Sequence, residues 1–203
     1  MTEISNLADL HQVYAQPSDL ALRKELDHID RHSRAFIAHA PFVVIATADA
    51  QGWPDVSPRG DAPGFVFVVD DKRLHLPDRP GNNRLDSFQN LLANAKIALL
   101  FVVPGRLETL RVNGTARLLR DPELLARHAV GGKLARTVVE VTAASVYFQC
   151  GKALIRSALW QKEKWPSLDG LATFAQALAD QIKGLDKVAS EARLEKAYRE
   201  TLY

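Results

Sequence analysis

Two short runs in the first half of the chain concentrate its anion-binding side chains: Ser57-Pro-Arg-Gly-Asp61 and Pro77-Asp-Arg-Pro-Gly-Asn-Asn-Arg84. Both are broken by proline and glycine, both present arginine, and both lie beside an apolar run that reads as a strand. Two arginine-bearing turns at the ends of neighbouring strands, one of them at a helix N-terminus, are what a bound phosphate needs. In the second run Pro80-Gly81 makes a sharp turn, and Asn82 or Asn83 is expected to cap a helix beginning near Arg84. The free N–H groups and positive dipole end of that helix favour an anion. The planar guanidinium of Arg84 adds a two-pronged donor for phosphate oxygens. Arg59, flanked by Ser57 and Gly60, converges from the other run. Asp61 and Asp78 either orient these arginines or accept from the ring N–H or hydroxyl groups of a ligand. Taken singly, each run has the composition of an ordinary surface turn with solvated Asp–Arg pairs. Their pairing beside buried strands is what carries the phosphate reading.

The elements that hold these runs are mostly strands. Residues 42–48 are apolar on both faces and read as a central strand, 49–52 turn tightly, and 53–56 return as a second strand. Residues 64–69 and 73–76 are a third and a fourth strand. Leu85, Phe88, Leu91 and Leu92 mark one face of a short helix ending near Asn94. Residues 96–103 form another apolar strand, and 109–119 a long one in which Gly114 marks a bulge or a close approach. A short helix capped by Asp121 precedes the β-rich stretch 137–148.

At the N-terminal end, residues 4–15 are helical, Pro17 ends that piece, and a longer helix over 19–40 carries the stripe Leu22, Leu26, Ile29, Phe36 and Ala40. Beyond the strands, a short helix over 154–160 leads to a helical pattern starting at Trp165-Pro-Ser. A last helix spans 187–202. Many strands joined by tight turns favour an antiparallel barrel or sandwich over a parallel α/β sheet. The expected division is 1–40 as N-terminal helices packing on the barrel, 41–160 as the barrel, and 161–203 as a C-terminal helical appendage, within one globular domain.

Composition narrows the function classes. The 26 basic and 24 acidic residues leave a net charge of +2, too balanced for a dedicated nucleic-acid binder. A lone cysteine, Cys150, excludes an intrachain disulfide and a cysteine metal cluster. It reads as a buried small apolar residue and not as a nucleophile. His28, His32 and His39 read as a solvated face, because no third ligand stands at a telling distance. The N-terminus has no basic region followed by an apolar run, and no apolar stretch approaches a membrane span. A cytoplasmic location without a membrane partner is the expectation.

The order of these segments, Ser57-Pro-Arg59, then Leu76 to Arg84, then the 94–101 strand, then Glu108-Thr-Leu-Arg-Val-Asn-Gly114, resembles the pyridoxamine 5'-phosphate oxidase-like flavoproteins over residues 35–160. That resemblance implies a mainly antiparallel FMN-binding split β-barrel with flanking helices. It places the FMN phosphate at Arg59 and at Asn83-Arg84, with Asn82 in the same loop where the family commonly has a Ser-x-Lys pattern. It brings Thr109, with Glu108 beside it, to the flavin ring. The arginine- and histidine-containing C-terminal motif of the vitamin B6 enzyme is replaced here by the segment from Phe148 to Trp160. In that segment Lys152 and Arg156 share a helix face, and either line the pocket or close the barrel end. The resemblance therefore points to another branch of the family.

The implied function is an FMN-dependent oxidoreductase. The implied assembly is a homodimer with FMN in the groove between subunits, a small-molecule substrate, and NAD(P)H as a candidate donor. Hydride transfer to a flavin requires no acid or base from the protein, so no catalytic residue is assigned. Two alternatives stay open. One is a split-barrel protein for haem or a deazaflavin, with His75 and His128 as the axial-ligand candidates. The other is a protein that holds flavin without turnover.

Overall fold

The computed structural model describes residues 3–203. Its centre is a seven-stranded sheet of β1 (Phe42–Ala48), β2 (Pro54–Gly60), β3 (Phe67–Val68), β4 (Arg73–Pro77), β5 (Lys96–Val102), β6 (Thr109–Leu119) and β7 (Val138–Gln149). The order is β2-β1-β5-β6-β7-β4-β3, and every pairing is antiparallel. Strand alternation explains which face is buried. Val43, Ile45 and Thr47 point inward from β1, and Ile97, Leu99 and Phe101 from β5. The register sets Ile45 opposite Leu99 and Leu99 opposite Val112, so the apolar rows align. Leu74, Leu76, Val139 and Val141, from the far half of the sheet, join the same core cluster. The sheet therefore curls until its two halves face each other without closing, which is the mainly antiparallel, helix-flanked barrel expected.

Gly114 permits the curl. The β6–β7 register shifts between Asn113 and Gly114, and a Cβ at Gly114 would lie 1.9 Å from the Thr142 carbonyl oxygen. Only glycine lets the two backbones approach this closely at the bulge.

The helices are α1 (Leu7–Val13), α2 (Asp19–Arg23), α3 (Arg31–His39), α4 (Asp86–Ala93), α5 (Pro122–Arg127), α6 (Lys152–Arg156), α7 (Phe174–Gln181) and α8 (Lys187–Glu200). Three differ from the sequence expectation. The long helix over 19–40 is interrupted, because Leu26 exchanges backbone bonds with Val146 (3.0 and 2.8 Å) and the Ile29 N–H donates to the Asp71 carbonyl (2.7 Å). Tertiary pairing outweighs helical periodicity there, and α3 restarts under an Asp30 cap. The pattern read from Trp165 becomes helical only at α7, capped by Thr173 after Gly170 at φ +79°. The short helix expected over 154–160 is instead α6, which ends at Arg156. The third strand also shrinks to Phe67–Val68, because the chain turns between Ala62 and Phe65.

Candidate functional site

Among the described residues β2 is an edge strand, paired with β1 alone. That position tolerates Pro54 and Pro58, which cannot donate to a second neighbour. Alternation puts Asp55, Ser57 and Arg59 on its half-buried face. Arg59 Nη1 donates to Ser57 Oγ at 2.6 Å and to the Pro58 carbonyl at 3.1 Å, so Ser57 aims the guanidinium. The first run was expected to be a turn; Ser57 to Gly60 are strand residues, and only Asp61 lies beyond the strand end.

The second run leaves β4 at Pro77, with the Asp78 N–H still bonded to the Thr137 carbonyl at 2.9 Å. Asn82 Oδ1 accepts from the Arg84 N–H (2.9 Å), and Asn83 takes a left-handed φ of 58°, which asparagine tolerates. Helix α4 starts only at Asp86, and Leu85 at its N-cap offers no side-chain acceptor. The expected Asn82 or Asn83 cap is therefore replaced by an asparagine-built turn that ends before the helix. Ser87 Oγ donates to Asp55 (2.9 Å) and Asn90 Nδ2 to Thr47 Oγ1 (3.1 Å), which docks α4 on β2 and β1.

Four strands separate β2 from β4 in the sheet. The two runs were expected on neighbouring strands; they meet instead through the curl of the sheet. Together they line a cavity of about 290 Å³, to which β2 contributes Pro58, Arg59 and Gly60, and the second run Asp78 to Arg84, with Arg136 beside them. An outer cleft of about 880 Å³ shares Arg59, Arg84 and Arg136, adds Ser57, and extends to α8.

The arginines differ in how they are held. Arg84 pairs with Asp86, which pushes its guanidinium pKa further up. Arg59 bonds only to Ser57 and the Pro58 carbonyl, and Arg136 to Asn83 Oδ1 (3.0 Å). Neither has a carboxylate partner among the described residues. Arg79 is locked: its Nε donates to Asp61 at 2.6 Å and its Nη1 to the His128 carbonyl at 2.9 Å.

Asp61 lies behind the cavity with its side chain 2% exposed. It accepts from Arg79, from the Tyr203 hydroxyl (2.7 Å) and from the Ala62 N–H (2.7 Å). Burial opposes its charge, yet these donors hold its carboxyl below the usual range. Asp78, in the cavity, is pushed up by burial against the pull of Arg59, Arg136 and Arg79.

Cys150, expected to be buried, is exposed just beyond the end of β7, and the remaining expected site residues lie elsewhere. Thr109 is buried on β6 opposite Gln149, and Lys152 and Arg156 are exposed on α6; none of the three lines either cleft. His75 and His128 are buried in a chain running from Arg117 through Glu140 (2.8 Å) to His75 (3.1 Å) and His128 (3.3 Å). Neither lines the cavity.

Sequence reasoning did not single out Arg79, Arg136 or Tyr203. Arg79 stood inside the second run. Arg136 becomes legible through the β4–β7 register, which sets Pro77 opposite Val138 and so brings the residues before β7 beside the turn. Nothing local marks Tyr203.

An arginine-lined cavity on a curled antiparallel sheet has the donor geometry to hold an anion. The family model described as pyridoxamine 5'-phosphate oxidase matches residues 29–150. The chain belongs to that family. Among solved structures it is similar to HupZ from Group A Streptococcus, at 22% identity over 58% of this chain and 91% of that one, with a TM-score of 0.46. It is also similar to a Clostridium acetobutylicum protein related to general stress protein 26, at 18% identity over 59% and 86%, with a TM-score of 0.46. A third is an FMN-binding protein from Syntrophomonas wolfei, at 12% identity over 57% and 82%, with a TM-score of 0.44. No curated protein matches. Among the described residues no helix is long and apolar enough to cross a membrane.

Proposed function

We propose that this chain binds FMN through its phosphate and is an FMN-dependent oxidoreductase acting on a small molecule. The observation that carries the reading is the meeting of Arg59 and Arg136, neither hydrogen-bonded to a carboxylate among the described residues, with the asparagine-built turn in one cavity of a chain that matches the pyridoxamine 5'-phosphate oxidase family. The donor set fits a phosphate: Arg59, Arg84 and Arg136 offer planar N–H pairs, and a Cβ at Gly81 would meet nothing within 4 Å, so the turn is open to approach. Flavin, when bound, supplies the two-electron chemistry. The residues here hold and aim: Ser57 orients Arg59, and Asp61 with the His128 carbonyl fixes Arg79. The buried, mutually bonded His75 and His128 favour flavin over haem. A homodimer belongs to the same proposal, with the exposed Lys152 and Arg156 available to the flavin held by the second copy.

FMN fluorescence titration tests this. Arg59→Ala should weaken FMN binding about ten-fold or more, the loss of a charge-assisted bond, while the unfolding midpoint stays near that of the native chain. An unchanged titration would overturn the assignment.

A further inference from the structure

The outer cleft is larger than a phosphate holder requires, and its far wall comes from chain outside the family match. Phe174 together with Arg193, Leu194, Tyr198 and Leu202 faces β2 across it. Two properties of the lining stand out. It is apolar yet open: Val56 is 64% exposed, Phe174 60%, Tyr198 66% and Leu202 62%. It is also cationic, with Arg59, Arg84, Arg136 and Arg193 against Asp55 and Asp86, and both aspartates are occupied by Ser87 and Arg84. The side-chain bonds of α8 among the described residues involve Lys196 with Glu200, Glu191 with Thr173, and Ser190 with the Asp186 carbonyl, and so leave Arg193 free.

The wall is tethered. The Tyr203 hydroxyl donates to Asp61, and Lys133 Nζ donates to the Tyr203 carbonyl at 2.7 Å. Asp61 is the carboxylate that also fixes Arg79, so the tether shares an anchor with the inner cavity.

We propose that this outer cleft is a second ligand site, for a small molecule with an aromatic or aliphatic body and one anionic group, a carboxylate or phosphate, bound by Arg193. A concave, mostly apolar site with few convergent cations selects such amphipathic anions. The assignment rests on the flavin reading, which gives the inner arginines to the FMN phosphate and leaves the α8 side to the substrate. Arg193, without a side-chain bond among the described residues and set among apolar side chains, commits the cleft to a small amphipathic anion by charge match.

The test uses the full chain, with and without FMN, titrated with anilinonaphthalene sulfonate, an aromatic monoanion, and with its neutral counterpart phenylnaphthylamine. The sulfonate should saturate at one site on the FMN-loaded protein. Arg193→Gln should weaken it about ten-fold while leaving phenylnaphthylamine and FMN titrations unchanged. Tyr203→Phe, which loosens the wall, should weaken both probes. An Arg193→Gln variant that binds the sulfonate like the native chain overturns the proposal, and so does equal weakening of both probes. Full displacement of the probe by FMN gives the whole cleft to the flavin and overturns it too. Probe binding that falls as the protein self-associates puts a second copy there, with the same consequence. If FMN itself fails to bind, the flavin reading falls, while discrimination between the two probes by Arg193 still decides the outer site.

Discussion

Replacing Asp61 should damage the fold and the cavity together, for a reason that can be costed bond by bond. Its buried carboxylate accepts from the Arg79 guanidinium, the Tyr203 hydroxyl and the Ala62 N–H. A hydrogen bond to a charged partner contributes about 1.5–3 kcal/mol and a neutral one about 1 kcal/mol. Removing one member of a buried ion pair costs about 3–5 kcal/mol, because the other charge is stranded. Arg79 is 17% exposed and keeps its bond to the His128 carbonyl, so water and that carbonyl recover part of the loss. Asp61→Ala should therefore destabilise the chain by roughly 3 kcal/mol, and Asp61→Asn, which retains an acceptor oxygen, by about half of that.

Urea unfolding at neutral pH measures both variants. The folded pKa of Asp61 is depressed, so its contribution is present above the ordinary carboxylate value of about 3.9 and is lost as pH falls through the depressed value. The native and Asp61→Ala curves should converge in acid. Both variants lying within about 1 kcal/mol of the native chain at neutral pH would refute the assignment of Asp61 as the anchor of Arg79 and of the C-terminal segment.

Two further outcomes follow from the same geometry. Gly114→Ala places a Cβ on the Thr142 carbonyl oxygen and should cost about 3 kcal/mol or more, at or beyond the upper end of overpacking, read as a drop in unfolding midpoint; a neutral effect would mean the β6–β7 bulge relaxes freely. Asp78 ionises only above its ordinary range because burial disfavours the charge, and its carboxylate then opposes a bound phosphate. Asp78→Asn should therefore bind FMN more tightly than the native chain at a pH where Asp78 is ionised, with the two converging as the pH falls through its raised pKa; a ratio of affinities that does not change with pH would remove Asp78 from the cavity's electrostatics.

Much of the site was legible because its signals are local. Proline, glycine and asparagine dictate turns within a few residues, so the two arginine-bearing runs and the strands beside them could be read directly. The limits of that reading show where local signals lose. Leu26 sits in a helical stripe, yet Val146, 120 residues away, draws it into a strand bridge. Asn82 and Asn83 have the composition of a helix cap, yet the turn consumes them before α4 begins.

The amino-acid order alone determined the antiparallel class of the fold, Gly114 as its close-approach point, and Arg59 and Arg84 as the first anion-binding candidates, since each depends on backbone preferences and short-range periodicity. The tertiary structure alone decided that β2 and β4, with four strands between them, share a cavity, because the curl of the sheet comes from burying both halves in one core. It alone brought in Arg136 through the β4–β7 register, and Tyr203 through a bond to a carboxylate 142 residues earlier. Such contacts between distant segments leave no periodic trace, because they are selected by the packing of the whole chain and not by the residues on either side.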